Sequence, residues 1–362
     1  MRLVFLTQVV DADHPALAQT NDAVAALARR CERVTVLCDR VGRHSLPANV
    51  ELRTFAASSR IGRGLRLERG VGAAVLGGPR PDAVLAHMIP LFLILAAPVA
   101  KLRGVPLLLW YTHWHASRTL RVATALADAV LSVDRRSFPL ESRKVRGIGH
   151  AIDTDAFRPL GGAPPGGPLR LVAVGRTARW KGYDTLLQGL RLALEGGLDA
   201  TLELRGPQLT DDERAFRAEL ESIVAASPEL RGRVSIAEPL ARDLLPDLLA
   251  GADALVSPAQ PRASQTLDKA VYEAAACGLP VLASNPALTE FLDGTGLRLG
   301  FRPRDPADLA AALMELAAAS PEARATAGRL LRERVVQGHS VDSWAGAVVE
   351  IVRARPRPDV ES

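Results

Sequence analysis

The sequence has few of the features that mark disulfide frameworks, metal sites or membrane spans. It contains only three cysteines, Cys31, Cys38 and Cys277, at spacings that suit neither a zinc site nor a redox pair, so we expect buried thiols. The longest apolar run, Met88–Ala100, ends at Lys101 and is too short to span a bilayer. The first residues show no basic-then-apolar export segment. These absences favour a cytoplasmic location.

Aromatic residues and dinucleotide-binding glycines are also scarce. Phe, Trp and Tyr make up 4% of the chain, whereas hydrophobic residues make up 48%, a balance that is typical of an α/β protein. No Gly-x-Gly-x-x-Gly follows a predicted strand, which argues against a nicotinamide-dependent enzyme. The 362 residues exceed what one hydrophobic core usually covers, so two domains are predicted.

Positive charge is concentrated in the first part of the chain. Residues 1–158 contain 22 Lys and Arg against 13 Asp and Glu, a net charge of +9, whereas residues 159–362 have a net charge of −4. A basic half favours an anionic partner or surface. Within it, Ser58–Arg69 alternates arginine with apolar residues, as a helix on an anionic membrane surface does. An exposed helix with no such role is the alternative interpretation, and no nucleic-acid partner is expected.

Strands and helices alternate through the first part of the chain. The predicted strands are Arg2–Thr7, Val34–Cys38, Asp82–His87, Pro106–Thr112 and Ala129–Val133, and the predicted helices are Ala16–Arg29, Leu65–Leu76, Leu91–Arg103 and Leu120–Asp128. Continuous apolar strands separated by helices predict a parallel, doubly wound sheet. Ligands of such a sheet bind beyond the carboxyl ends of its strands.

Polar residues follow three of these predicted strands. Asp13 and His14 lie in the loop after the first strand, His87 ends a later strand, and His113 follows the next one. Histidine can hydrogen-bond a hydroxyl or carry a proton near neutral pH, so His113 is a catalytic candidate. His115 competes with it, because the register is not fixed by the sequence. An Asp-Ala-Asp turn without further carboxylates is more often a polar loop than a metal site, and no metal is expected.

The second part of the chain repeats the alternation after the turn-rich segment Leu160–Pro168, which marks a domain boundary. The predicted strands are Leu169–Val174, Ala200–Arg205, Val234–Ala237, Ala252–Ser257, Val281–Ala283 and Gly296–Leu299. The predicted helices are Tyr183–Leu194, Asp211–Ala225, Arg242–Ala250, Asp268–Cys277, Asp305–Ala318, Pro321–Val335 and Ser340–Arg353. A second doubly wound sheet follows from this pattern.

Two loops of this second part combine helix starts with charged side chains. The loop Gly175–Gly182 contains Arg176 and Lys181, and fixed cations at a helix start stabilise negative charge on a ligand. A surface Arg/Lys pair is the alternative, although the chain has only four lysines. The loop Ala263–Asp268 precedes another helix and is a predicted phosphate cradle. Glu273 lies early in that helix, where a carboxylate can accept hydrogen bonds from sugar hydroxyls.

These motifs resemble those of retaining glycosyltransferases of family 4. Ala274–Ala283 (AAACGLPVLA) is similar to the end of the family's E-x7-E segment, Gly175–Gly182 to its "GRl...KG" loop, and Gly149–Pro159 (GHAIDTDAFRP) to its "nGvDtdrFrP" connector. Glu273 stands in the place of the second glutamate, and Gln265 in the place of the first. The resemblance implies the GT-B fold, in which two Rossmann-like, doubly wound parallel-sheet domains face a central cleft.

The resemblance also implies a reaction, in which a sugar moves from a nucleoside-diphosphate sugar to an acceptor hydroxyl with retention of configuration and without a cofactor. Arg176 and Lys181 would hold the diphosphate, Glu273 the donor ribose, and His113 would contact the transferred sugar or the acceptor. The other implied contacts are to the donor sugar, the nucleotide or the acceptor: Ser264, Gln265 and Thr266 for the sugar, Gly206 and Glu238 for the nucleotide, and Asp13, His14 and His87 for the acceptor. The acceptor would be a glycan, a lipid-linked molecule or a small molecule.

The expected domains are an acceptor-binding domain at residues 1–158, a nucleotide-sugar-binding domain at residues 159–340, and a helix with a frayed tail at residues 341–362 that crosses back to the first domain. Peripheral attachment to the inner face of a membrane is compatible with the basic first half. Two other functions stay open. Gln265 in place of a glutamate favours a non-catalytic nucleotide-sugar-binding protein that acts with a partner enzyme. A GT-B epimerase or phosphorylase is weaker, because no lysine for pyridoxal phosphate is recognisable.

Overall fold

The computed structural model describes residues 1–14, 17–161, 167–260 and 268–354. These residues form two compact units. The first contains Met1–Asp153 together with the chain from Gly338 onward, and the second is Thr154–Gln337. Each unit is built on one parallel sheet with helices, so the predicted class of two Rossmann-like domains is confirmed.

The first unit has a sheet of seven strands in the order β3-β2-β1-β4-β5-β6-β7. The strands are β1 (Arg2–Val10), β2 (Arg33–Val41), β3 (Val50–Thr54), β4 (Ala83–His87), β5 (Leu107–Trp110), β6 (Ala129–Ser132) and β7 (Val145–Gly147). The helices are α1 (Thr20–Arg30), α2 (Arg60–Leu76), α3 (Pro90–Leu102), α4 (Arg118–Leu126) and α12 (Val341–Arg353).

The central strands of this sheet are buried on both faces. Every residue of β4, β5 and β6 is buried, as expected for apolar strands that are covered by crossover helices. The last helix, α12, contributes to the same core, because the fully buried Trp344 lies with its ring 4.4 Å from that of Trp110. The helix that ends the described chain is therefore part of the first unit.

The second unit has five parallel strands in the order β10-β9-β8-β11-β12. They are β8 (Leu169–Val174), β9 (Ala200–Arg205), β10 (Val234–Ala237), β11 (Ala254–Ser257) and β12 (Val281–Ala283). The α-helices are α5 (Tyr183–Glu195), α6 (Asp211–Ala226), α7 (Leu245–Ala250), α8 (Lys269–Ala276), α9 (Thr289–Leu292), α10 (Pro306–Ala318) and α11 (Pro321–Gly338), and 3-10 turns lie at Arg179–Lys181, Arg242–Leu244 and Pro286–Leu288.

Some predicted elements differ from the structure. The predicted strand Gly296–Leu299 is wrong. Only a single bridge joins Ala283 to Gly300 there, because the chain turns at Gly294 and Gly296, whose φ angles are 71° and 81°. The short strands β3 and β7 were not predicted. The three cysteines are free and buried, as predicted. Among the described residues, no helix is both long and apolar enough to cross a membrane.

Candidate functional site

The loop after β8 is held close to the ends of the neighbouring strands by glycines. Gly206, which follows β9, lies so close that a Cβ there would be 1.7 Å from the carbonyl oxygen of Gly175. Gly182, at φ 69°, lies beside β11, where a Cβ would be 2.3 Å from the carbonyl oxygen of Pro258. The amide of Gln260 donates to the carbonyl of Trp180 at 2.8 Å. The cationic loop therefore lies at the carboxyl edge of the sheet, where parallel sheets bind ligands.

Lys181 ends the 3-10 turn of this loop and is buried, with 7% of its side chain exposed. Its Nζ lies 2.7 Å from Oδ2 of Asp268 and 5.0 Å from the centre of the Trp180 ring. The hydroxyl of Ser257, the last residue of β11, donates to the same Oδ2 at 3.1 Å. Asp268 is the residue before α8. Lys181 is thus positioned at the start of α8 as well as before α5, and its predicted contact with a diphosphate stays a prediction.

Arg176 lies on the same loop but reaches solvent. Its side chain is 45% exposed, and its Nη2 donates to Oε1 of Glu213. Glu213 is buried and its other oxygen accepts a hydrogen bond from the amide of Leu209 at 2.6 Å. The guanidinium is therefore anchored at one nitrogen, while part of it faces solvent at the edge of the sheet that a ligand would approach.

Glu273 lies in α8 and is buried between two cations. Its Oε1 is 2.8 Å from Nη1 of Arg242 and 3.2 Å from Nζ of Lys269. Burial alone would raise the pKa of the Glu273 carboxyl, but the charges of Lys269 and Arg242 and their hydrogen bonds outweigh it, so the pKa lies below its usual value. Glu273 is thus ionised at neutral pH and acts only as a hydrogen-bond acceptor.

Two further candidates lie near the ends of β9 and β10. Glu238 follows β10, and its carboxylate pairs with Arg217 at 3.0 Å while its side chain is 75% exposed. Gly206 has a clear structural role, which is the close approach to Gly175 described above. Contacts of either residue with a nucleotide stay a prediction. Ser264, Gln265 and Thr266, which were predicted to line the sugar site, lie outside the described residues.

In the first unit, His87 lies in the core and not at the surface. It is 3% exposed, its ring is 4.4 Å from that of Trp110 and 5.8 Å from that of Phe5, and its Nδ1 shares a hydrogen bond with the hydroxyl of Thr7 at 3.0 Å. Burial lowers the pKa of His87 to about 3. Its own domain encloses the ring, so the structure favours a packing role over contact with an acceptor.

The other candidates of the first unit lie in loops beyond β1 and β5. Nδ1 of His113 accepts a hydrogen bond from the amide of His115 at 3.1 Å, and burial, with a contribution from the charge of His115, lowers the pKa of His113. Asp13 pairs with Arg43 at 2.8 Å, and Nδ1 of His14 accepts from the amide of Leu17 at 3.1 Å. Their predicted contacts with a sugar or acceptor stay predictions.

The sequence analysis missed the charged partners of the predicted residues. Asp268, Glu213 and Arg242 were not predicted to pair with Lys181, Arg176 and Glu273, because they are distant in sequence. One signal was present, since Lys269 precedes Glu273 by four residues on one helix face. In the part of the chain that the structure describes, no group of three or more His, Cys, Asp or Glu residues could hold a metal ion.

Comparison with known proteins gives a family match within the second unit. Residues 168–319, which contain Arg176, Lys181 and Glu273, match the family model described as "Glycosyl transferases group 1". A sequence comparison with curated proteins finds no match.

Similar solved structures include HepE from Anabaena in complex with UDP and glucose, with a TM-score of 0.74 and 18% identity over 98% of this chain and 99% of that one. A glycosyltransferase from Rickettsia africae has a TM-score of 0.73 and 14% identity over 96% and 97% of the two chains. Sucrose-phosphate synthase from Thermosynechococcus elongatus has a TM-score of 0.70 and 19% identity over 98% of each. At these identities the likeness establishes the fold. The chain therefore has the GT-B fold, and its second unit carries a segment that matches the glycosyl transferases of group 1.

Proposed function

We propose that the protein is a glycosyltransferase that moves a sugar from a nucleoside-diphosphate donor to an acceptor hydroxyl with retention at the anomeric carbon. The observation that carries the proposal is the cluster at the carboxyl edge of the second sheet. There, Arg176 and Lys181 lie on one loop and Glu273 lies in the helix that starts beside Lys181. The matching family segment covers all of these residues.

The chemistry follows from the charges. When the glycosidic bond to the donor breaks, negative charge grows on the departing diphosphate oxygen, and cations that are already in place stabilise it without reorganisation. Lys181 is held by burial, and Arg176 is anchored at Glu213. Removing one such donor typically costs about 3–4 kcal/mol in the transition state.

Glu273 is suited to bind the donor's ribose. Both of its cationic partners contact Oε1, and we assign Oε2 to the ribose hydroxyls. Because the pKa of Glu273 is lowered, mainly by the charges of Lys269 and Arg242 against the effect of burial, the carboxylate keeps its acceptor character throughout the neutral range.

The test is transfer or hydrolysis of UDP-, GDP-, ADP- and dTDP-sugars by the purified protein, with the anomeric configuration of the product followed by NMR. Lys181→Ala should lower kcat by about 100-fold or more, whereas Lys101→Ala, an exposed lysine of the first unit, should not change it. Full activity of Lys181→Ala would refute the role of Lys181, and inversion at the anomeric carbon would refute retention.

A second candidate is a nucleotide-sugar-binding protein without transferase activity, which acts with a partner enzyme. The pairing of Lys181 with Asp268 favours it, because that ammonium already has a carboxylate partner. Nucleotide binding by calorimetry without turnover on a broad panel of donors and acceptors would support this candidate over the first.

We further propose that the first unit attaches to an anionic membrane surface through the start of α2. Ile61 and Leu65 lie one turn apart on this helix and are 79% and 51% exposed, and the arginines Arg60 and Arg66 lie among them on the exposed surface. Exposed apolar residues among arginines suit a surface of anionic lipid, and the first half of the chain has a net charge of +9.

Flotation with vesicles tests this attachment. The protein should float with vesicles that contain phosphatidylglycerol and not with pure phosphatidylcholine. Ile61→Glu with Leu65→Glu should abolish flotation, whereas Leu76→Glu, at the other end of the same helix and 49% exposed, should leave it unchanged. Equal flotation of all three proteins, or none by the unmodified protein, would contradict the proposal.

A further inference from the structure

The Lys181–Asp268 pair at the start of α8 has a consequence for the donor. Both side chains are largely buried, since 7% of the Lys181 side chain and 12% of the Asp268 side chain are exposed. The 2.7 Å between Nζ of Lys181 and Oδ2 of Asp268 is the distance of a direct ion pair. Ser257 adds a second hydrogen bond to the same oxygen at 3.1 Å. The carboxylate of Asp268 is therefore bound by a cation and a hydroxyl at the edge of the sheet where an anionic ligand would bind.

Asp268 occupies the N-cap position of α8, yet its side chain makes no capping hydrogen bond to the helix. An aspartate at this position normally accepts from the amides of the first turn. Here the carboxylate turns to Lys181 and Ser257 instead. The amides of the first turn are thus not capped by this side chain, and they retain their preference for an anion.

We propose that Asp268 determines how strongly this site binds a terminal phosphate, by competing with that phosphate for Lys181. This inference rests on the proposed function. A diphosphate that approaches Lys181 must displace the Asp268 carboxylate or bind beside a like charge, and either event weakens binding. Asp268 thereby reduces the preference of the site for a nucleoside diphosphate over the corresponding monophosphate.

The alternative is that Asp268 positions Lys181 for the phosphate and so strengthens binding. The variant Asp268→Asn distinguishes competition from positioning, because the amide keeps an oxygen that can accept from Ser257 and Lys181 but carries no charge. Competition predicts tighter binding in this variant, and positioning predicts weaker binding.

The experiment is calorimetric titration of the full chain with UDP, GDP, ADP and dTDP and with each monophosphate. Asp268→Asn should bind the preferred diphosphate at least about tenfold more tightly while its monophosphate affinity changes less. Asp268→Gly provides a second variant that removes the carboxylate entirely. In the double variant Asp268→Asn with Lys181→Met, the gain should disappear, because the competition is for Lys181.

The matched control is Glu219→Gln, which breaks an exposed ion pair with Arg179 in the same 3-10 turn and should not change either affinity. Equal or weaker diphosphate binding by both Asp268 variants, with normal binding by the unmodified chain, would overturn the inference and leave the proposed function standing. Absence of diphosphate binding in the unmodified chain and in both variants would overturn the inference and the proposed function together.

Discussion

The stability of the first unit should depend on pH through His87. The ring of His87 is enclosed by the rings of Phe5 and Trp110. Burial disfavours its charged form and lowers its pKa from 6.5 to about 3. In the unfolded chain the same ring titrates near its usual pKa. A histidine whose folded pKa is depressed contributes stability that is present above the unfolded pKa, and this contribution is lost as the pH falls from 6.5 towards 3.

The size of the effect follows from the two pKa values. One pKa unit corresponds to about 1.4 kcal/mol, so complete protonation of His87 in the folded protein would cost about 5 kcal/mol of unfolding free energy relative to neutral pH. At pH 5 the unfolded ring is almost fully protonated and the folded ring is not, so His87 accounts for a loss of about 2 kcal/mol relative to pH 7.5.

The assay is denaturant unfolding at pH 7.5 and pH 5, followed by the fluorescence of the buried Trp110 and Trp344. His87→Phe should be less stable at pH 7.5, because Thr7 loses its partner, at a cost of about 1–3 kcal/mol. Between the two pH values, however, the variant should lose about 2 kcal/mol less than the unmodified protein. His44→Gln, at an exposed position, should behave as the unmodified protein does. Identical pH dependence of His87→Phe and the unmodified protein would refute the reasoning.

Two further substitutions test the packing of the second unit. In urea unfolding, Gly206→Ala should destabilise this unit by about 2 kcal/mol or more, because the new Cβ would lie 1.7 Å from the carbonyl oxygen of Gly175. The same change should weaken nucleotide binding. The control is Gly72→Ala, whose Cβ would meet nothing within 4 Å and which should be neutral or slightly stabilising. Arg332→Met should lower the free energy of unfolding, measured in urea, by about 3 kcal/mol, because Arg332 donates to the carbonyls of Thr154, Phe157 and Ala276. An unchanged free energy of unfolding would contradict its anchoring role.

The central strands could be predicted from sequence because their signal is local. A continuous apolar run such as Leu107–Trp110 is buried on both faces, and the uninterrupted apolar sequence is enough to predict this burial. The strands β3 and β7 carry a weaker signal, because they lie at the two edges of the sheet and β7 has only three residues, of which one is buried. Edge strands depend on their neighbour more than on their own composition.

The cations of the candidate site could be predicted, and their partners could not. Arg176 and Lys181 belong to one loop motif, whereas Glu213 and Asp268 follow them by 37 and 87 residues. Only the fold brings such residues together. His87 shows the converse case: its place at a strand end suggested a ligand contact, but α12, at the far end of the chain, covers the neighbouring Trp110 with Trp344. Burial of this kind depends on tertiary structure.

The most direct test is whether the second unit binds a nucleoside diphosphate through Lys181 and Glu273. Calorimetry with the preferred diphosphate should give one site per chain, with affinity reduced at least about tenfold in Lys181→Met and in Glu273→Gln and unchanged in Lys101→Met. Unaltered affinity in both site variants would contradict the account.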